Sequence, residues 1–366
     1  MTAQIIAACR SAVVPRGGAF AAHTLDALGA PVVQAALAQA GLDLQQVDDL
    51  IVSNAIGGGG NPARLIALAA GLPEHVAGLS IDRQCAGGLD ALLLAKAMVE
   101  SGAADIVVAG GVESYSRRPL RLRTFSDGSP PQPYDQPPFS PWPDRDPDMA
   151  AAADALATAY GISAEVQNDW AIESHAKSLR ADPIPGEIVA LGGQHRDPFA
   201  RKLSTALTRR AKTVSGSITA ANMAVAADAA AFCVVISDRM RQQLGCNGIT
   251  LLGGATKGAA PENPGIAPLT AVTSALAYTG TRITDITCAE VMEAFAVQAI
   301  ACVQGAGLDP EIVNIGGGAL ARGHPIGASG TINAVRLYHE LRKTGGTGLA
   351  TIAAAGGIAT ALILAA

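Results

Sequence analysis

The chain has 366 residues, a formal net charge of −5 at pH 7, and is 49% hydrophobic but only 4% aromatic. That length exceeds one compact core, so two domains, or two halves and an insertion, are expected. The mildly acidic balance without a basic run gives no reason to expect nucleic acid or a membrane surface as a partner. The N-terminus, MTAQIIAACRSAVVPRGG, lacks a basic region followed by a long apolar run, so no signal peptide is expected. The six cysteines are scattered, with no Cys-x-x-Cys pair or Cys/His cluster at metal-ligand spacing. A reduced, cytoplasmic protein with no metal is the expectation.

Strand and helix signals alternate along the chain. QIIAAC and DDLIVSNAIGGG read as buried strands. Between them HTLDALGAPVVQAALAQAGL has helical spacing, with Gly41 as its stop. SIDRQCAGGLDALLLAKAMVESGAADIVVAGG then reads as strand, tight turn, helix, strand and Gly-Gly. Such alternation predicts a parallel sheet with crossover helices. From Arg117 to about Asp148 the chain is Pro- and Arg-rich, a loop composition too long for a simple connector. A helix is expected in SAEVQNDWAIESHAKSLRA, capped by Ser163 and with Glu165 in its first turn. SGSITAANMAVAADAAAFCVVISD returns to buried strand character.

The second half repeats the first. APLTAVTSALAYTGTRITDITCAEV has the helix, glycine and strand order of Thr24 to Val52. ASGTINAVRLYHELRKTGGTGLATIAAAGG has the order of Ala86 to Gly111. This is duplication at the scale of a domain. If the halves pack as pseudo-symmetric partners, the two helix N-termini converge on one site. The C-terminal GLATIAAAGGIATALILAA is about as long as a spanning helix needs to be. It is rich in glycine and β-branched residues and divides at Gly356-Gly357, so two strands joined by a turn are expected instead.

Two residues stand out chemically. Cys85, in DRQCAGGLDAL, lies at a strand-to-helix turn, where the helix dipole and backbone N–H groups favour thiolate. It reads either as a nucleophile or as a small buried hydrophobe. His324, in GGGALARGHPIGASG, reads either as the base for Cys85 or as a histidine bonded to its own loop. Cys9, Cys233, Cys246, Cys288 and Cys302 read as core, and no role attaches to His23, His75, His175, His195 or His339.

At this point the chain resembles the thiolases from end to end. RQCAGGLDA resembles their nucleophile turn, and VVAGGVESYSRRP the segment after it. NMAVAADAAA is a weaker version of the Asn-Ala-Ser-Gly segment, and VMEAFAVQA resembles Asn-Glu-Ala-Phe-Ala. GGALARGHPIGASG matches the histidine motif almost residue for residue, and QNDWAIESHAKS resembles the insertion-domain helix. The resemblance implies an α/β fold of two βαβαβαββ halves in a five-layered αβαβα arrangement. The halves would be 1–116 with about 212–244, and 245–366, with 117–211 an inserted loop domain that binds coenzyme A. Homodimers or homotetramers are implied, with an accessory protein subunit a further option. The implied substrate is a coenzyme A thioester, with no cofactor bound permanently. Cys85, activated by His324, would take the acyl group. A second cysteine would then move a proton at the α-carbon, making or breaking a C–C bond.

The chain departs from that pattern at the second stage. Ala353 stands where the acid/base cysteine is expected, and alanine transfers no proton. Met292 replaces the asparagine that holds a water on the enolate oxygen. Losing one such oxyanion donor costs roughly 10²–10³ in rate. Ala355 replaces a glycine whose N–H joins that of Cys85 in the oxyanion hole, a role that survives only if φ is not positive. Ala224 replaces a serine of the CoA segment, while Met149 and Phe295 fall at substrate-lining positions. Three readings follow: a thiolase-type acyltransferase with a substitute base, acyl transfer or hydrolysis without C–C chemistry, and a non-catalytic acyl-CoA-binding or scaffold protein.

Overall fold

The computed structural model describes residues 2–366. The first half contains β1 (Gln4–Ser11), β2 (Val14–Pro15), α1 (Leu25–Ala40), β3 (Asp49–Ser53), α2 (Pro62–Ala69), β4 (Leu79–Ile81), α3 (Gly87–Ser101) and β5 (Ile106–Ser114). A long excursion follows, with β6 (Arg121–Arg123), β7 (Gln132–Tyr134), α4 (Met149–Tyr160), α5 (Ala164–Arg180), β8 (Ile188–Val189), α6 (Thr205–Thr208), β9 (Thr213–Ser215) and β10 (Ile218–Thr219). β11 (Ala227–Ile236) closes the first half, and α7 (Asp238–Leu244) leads into the second. The second half holds β12 (Ile249–Gly258), α8 (Ala267–Thr279), β13 (Ile286–Val291), α9 (Ala296–Ala306), α10 (Ala319–Arg322), α11 (Ile326–Thr344), β14 (Thr347–Ala354) and β15 (Ile358–Ala365).

The duplication is explicit in the strand order. The first half runs β4-β3-β5-β11-β1 and the second β13-β14-β15-β12. The counterpart of β4 is reduced to one parallel bridge between Ala289 and Val313. The two sheets meet where β1 pairs β12 through Gln4 with Thr250 and Ile5 with Ile249. α3 and α11 lie together between the sheets, in a core that includes Leu89, Leu92, Ile332, Val335 and Tyr338. α1 covers the outer face of the first sheet and α8 that of the second. This gives the five α and β layers.

The sheets are mixed rather than parallel. β3–β4, β3–β5 and β13–β14 are parallel, whereas β5–β11 and β14–β15 are antiparallel. In each half the last strand returns beside its predecessor. In the second half the return takes only Ala355, Gly356 and Gly357, with both glycines at positive φ (77° and 73°). In the first half the equivalent return is the whole excursion between β5 and β11. That excursion reaches past residue 211: Ser217, between β9 and β10, donates from N and Oγ to Asp154 of α4 (2.7 and 2.8 Å). Residues 213–219 therefore sit with the inserted helices and not with the first half's sheet. Ser163 caps α5 by accepting from Val166 N–H at 3.3 Å. β14 and β15 are interior strands, and among the described residues no helix is long and apolar enough to cross a membrane.

The central helices touch through glycine. A Cβ on Gly88 would lie 2.6 Å from the backbone nitrogen of Thr331, and one on Gly330 would lie 2.7 Å from that of Leu89. Thr331 Oγ1 donates to the Gly88 carbonyl at 3.1 Å across this contact. In an isolated helix, alanine in place of glycine stabilises by about 1 kcal/mol. Here the methyl meets backbone that cannot turn aside, and overpacking costs about 1–3 kcal/mol. We expect Gly330→Ala to lower the urea midpoint of unfolding; an unchanged or higher midpoint would contradict this packing.

Candidate active site

Cys85 occupies the turn from β4 into α3. Gln84 before it adopts a left-handed conformation (φ 50°), with its N–H bonded to Asp82 Oδ1 at 2.8 Å. This sharp turn presents Cys85 to a cleft of about 390 Å³. His324 reaches the same cleft from the loop before α11. Its N–H donates to the Val225 carbonyl at 2.7 Å, which hangs the loop on the end of the insertion. Nε2 of His324 lies 3.2 Å from Sγ of Cys85.

Ser329 sets the ring's tautomer. His324 Nδ1 is 2.6 Å from Ser329 Oγ, and that hydroxyl donates its proton to the Pro325 carbonyl at 3.0 Å. Oγ is therefore left to accept from Nδ1–H. Nε2 then carries the free lone pair, directed at the thiol. Ser329 was not singled out from the sequence, although it lies inside the histidine motif in the first turn of α11.

Burial decides the resting charge of the pair. It pushes the Cys85 thiol up to about 12, while the N–H groups of Cys85 and Ala355 act on the sulfur in the opposite direction. The helix start and its N–H groups favour thiolate, but burial outweighs them at this sulfur. Burial likewise pushes His324 down to about 4. The dyad rests as neutral thiol and neutral imidazole. Ala355 is not among the described non-glycine residues at positive φ, so alanine is unstrained there, and its N–H acts on the Cys85 sulfur.

Glu113 fastens this arrangement from behind. It is fully buried on β5 and accepts from Asn54 Nδ2 (2.6 Å), Ala55 N (3.0 Å), Ile56 N (3.4 Å) and Gly327 N (3.0 Å). It thus joins the loop after β3 to the first turn of α11. Burial pushes its carboxyl up to about 7, against the pull of those donors.

Ala353, Ala355, Met149, Ala224 and Phe295 all line the same cleft. Met149 opens α4, whose N-terminus Asp148 caps by accepting from Ala150 and Ala151 N–H (2.9 and 3.1 Å). Ala224 N–H donates to the Ala294 carbonyl at 2.9 Å, which holds it beside Phe295. Met292 is the exception. It is 1% exposed, packs in the core that contains Cys288 and Ile332, and is not part of the cleft wall.

Comparison with known proteins now bears on the whole chain. Residues 3–239 match the family described as thiolase, N-terminal domain, and residues 249–366 match thiolase, C-terminal domain. The chain belongs to the thiolase family. It is 37% identical to a Bacillus subtilis protein named "Putative acetyl-CoA C-acetyltransferase YhfS", covering 99% of each chain. The crystal structure of the Bacillus anthracis acetyl-CoA acetyltransferase superposes with a TM-score of 0.91 at 30% identity, covering 100% of this chain and 98% of that one. The Acat5 thiolase from Ascaris suum, solved in complex with coenzyme A, superposes with a TM-score of 0.93 at 28% identity over 100% of both chains.

Cys288 and Glu293, which lie near Met292 in sequence, do not line the cleft beside Ala353. Cys288 is buried in the core, away from the cleft wall. Glu293 is buried too, and accepts from Trp170 Nε1 (2.9 Å), Ser174 Oγ (2.7 Å), Asn314 Nδ2 (3.0 Å) and Leu320 N (3.2 Å). It ties α5 and α10 to the end of β13. Tyr115, two residues beyond Glu113, does line the cleft, a position the sequence reading quoted but did not assign.

The geometry makes a pH prediction. Nε2 accepts a proton only while His324 is neutral, and burial depresses its pKa. The rate of Cys85 acylation should therefore hold as pH falls through 6.5 and drop only near pH 4. A limb near 6.5 in the single-turnover pH profile would show that the ring is not desolvated. His324→Ala should slow acylation by about 10²–10⁴.

Proposed function

We propose that this thiolase is an acyltransferase that takes acyl groups from coenzyme A thioesters onto Cys85, with the C–C bond step altered or lost. The observation that carries the reading is the 3.2 Å contact between Cys85 Sγ and a His324 Nε2 left free by the Nδ1–Ser329 bond. As Sγ attacks the thioester carbonyl, its proton passes to Nε2. Charge developing on the carbonyl oxygen is received by the N–H groups of Cys85 and Ala355. The intermediate collapses, the C–S bond to coenzyme A breaks, and the imidazolium returns its proton to the departing thiolate. The acetyl-CoA C-acetyltransferase name of the Bacillus subtilis relative, and coenzyme A bound to the Ascaris protein, support the choice of thioester.

The second stage is where this chain differs. Claisen chemistry needs a group that removes a proton from the α-carbon, and the methyl of Ala353 removes none. Met292 offers no amide to hold a water on an enolate oxygen, and its side chain belongs to the core. An acceptor that brings its own acidic proton, such as a thiol or water, needs neither residue, because His324 can deprotonate it.

Intact mass spectrometry after incubation with acetyl-CoA and longer acyl-CoA thioesters should reveal an acyl adduct that Cys85→Ala abolishes. A folded protein that forms no adduct with any thioester sinks the reading. Ala353→Cys alone should not restore acetoacetyl-CoA thiolysis, because the Met292 position still lacks its donor, a deficit of roughly 10²–10³. Robust thiolysis by that single variant would contradict the role assigned to Met292.

A further inference from the structure

The wall of the cleft that contains Cys85 also carries two guanidinium groups. Arg118 and Arg121 both line the cleft that contains Cys85. Arg118 Nη2 donates to Asp135 Oδ1 at 2.9 Å, and its guanidinium lies over the Tyr115 ring, 6.0 Å from the centroid. Asp135 is 86% exposed, so solvent screens that pair. Arg121 is held differently. It lies on the β6–β7 ribbon, paired in register with Tyr134, and its Nη2 donates only to the Ala55 carbonyl at 3.2 Å. Among the described residues it has no carboxylate in salt-bridge range. Two guanidinium groups against one carboxylate leave the cleft with one positive charge in surplus.

The rest of the wall is largely apolar, including Ile56, Phe139, Met149, Leu156, Met223 and Phe295. An unpaired guanidinium beside such a wall is a strong site for an anion, since charge-assisted hydrogen bonds strengthen as water is excluded. Glu113, the buried carboxylate nearest in sequence to these residues, cannot serve, because its oxygens are taken by Asn54, Ala55, Ile56 and Gly327.

We propose that the acyl group taken by Cys85 ends in a carboxylate, received by Arg121 with Arg118 beside it, so that the substrate is the monothioester of a dicarboxylic acid. The proposal rests on the acyltransferase reading and adds the class of acyl group. The anion could also be a phosphate of coenzyme A, and the test separates the two.

Single-turnover acylation of Cys85 by pentanedioyl and pentanoyl thioesters of N-acetylcysteamine is the measurement. These donors have equal chain length and carry no phosphate. The pentanedioyl thioester should react about tenfold faster, the ratio one charge-assisted hydrogen bond supplies. Arg121→Gln should bring the ratio near one, and Arg121→Lys should recover part of it. Arg118→Gln should reduce it less, because Asp135 already pairs that residue. The readout is a ratio within each variant, so a variant that folds poorly lowers both rates without imitating the effect. Equal rates in the unaltered enzyme, or a ratio that survives Arg121→Gln, overturn this inference alone. So does an Arg121→Gln enzyme slowed equally on both coenzyme A thioesters with an unchanged N-acetylcysteamine ratio, which would assign the arginine to phosphate. An enzyme acylated by neither donor nor by any acyl-CoA overturns the acyltransferase reading, and this inference with it.

Discussion

The contact between the starts of α3 and α11 is the constraint on which the site depends. Two helices approach this closely only where a side chain is absent, and Gly88 and Gly330 provide that on opposite sides of one contact. Each glycine comes within a few residues of a reactive group: Cys85 precedes Gly88, and His324 precedes Gly330. The pseudo-symmetry of the halves therefore does chemical as well as architectural work. One half supplies Cys85, the proposed nucleophile, from a turn before its central helix. The other supplies His324, its proposed base, from the equivalent turn. Gly111 and Gly327 repeat the device, since a Cβ on Gly111 would lie 2.0 Å from the Gly327 carbonyl oxygen.

The close packing also sets the electrostatics. A half-buried dyad packed at the starts of the two central helices loses much of its hydration, and desolvation disfavours both the thiolate and the imidazolium. The backbone N–H groups of Cys85 and Ala355 oppose this at the sulfur without overcoming it. In the proposed mechanism charge separation accompanies attack on the thioester, when those same N–H groups gain a developing oxyanion to stabilise. A neutral dyad poised in this way suits thioester chemistry, in which the leaving thiolate reclaims the proton.

Buried carboxylates around the site are fasteners. Glu113 and Glu293 each meet four donors, and each joins segments distant in sequence. Glu187 does the same for the inserted segment. It bridges Arg10 of β1 (2.7 Å) and Arg336 of α11 (2.6 Å), which hold its carboxyl at about 2. Removing one partner from such a network strands a buried charge. These ties hold the insertion, which carries Met149 and the arginine-bearing ribbon, against the two halves that carry the dyad.

Much of this was legible in the sequence because it is encoded locally. The helix and strand periods, the glycine stops, the Ser163 cap and the Gly356-Gly357 turn each depend on neighbouring residues. The repeat of those local patterns identified the two halves. The motif around Cys85, His324 and Ala353 named the residues that share the cleft. Other features required the tertiary structure, because they are sums over residues far apart in the chain. The sign of the Cys85 shift depends on how much protein surrounds the sulfur, and the local helix start suggested the opposite. Met292 turns into the core and Glu293 toward α5 and α10, and periodicity cannot say which neighbours a side chain will meet. The antiparallel return of β11 lies across the whole insertion, so the extent of that insertion past residue 211 emerged only from contacts such as Asp154 with Ser217. Sequence determined which groups the chain possesses and where it turns; tertiary structure decided which of them are desolvated, paired and aimed at one another, because desolvation and pairing depend on distances the linear order does not contain.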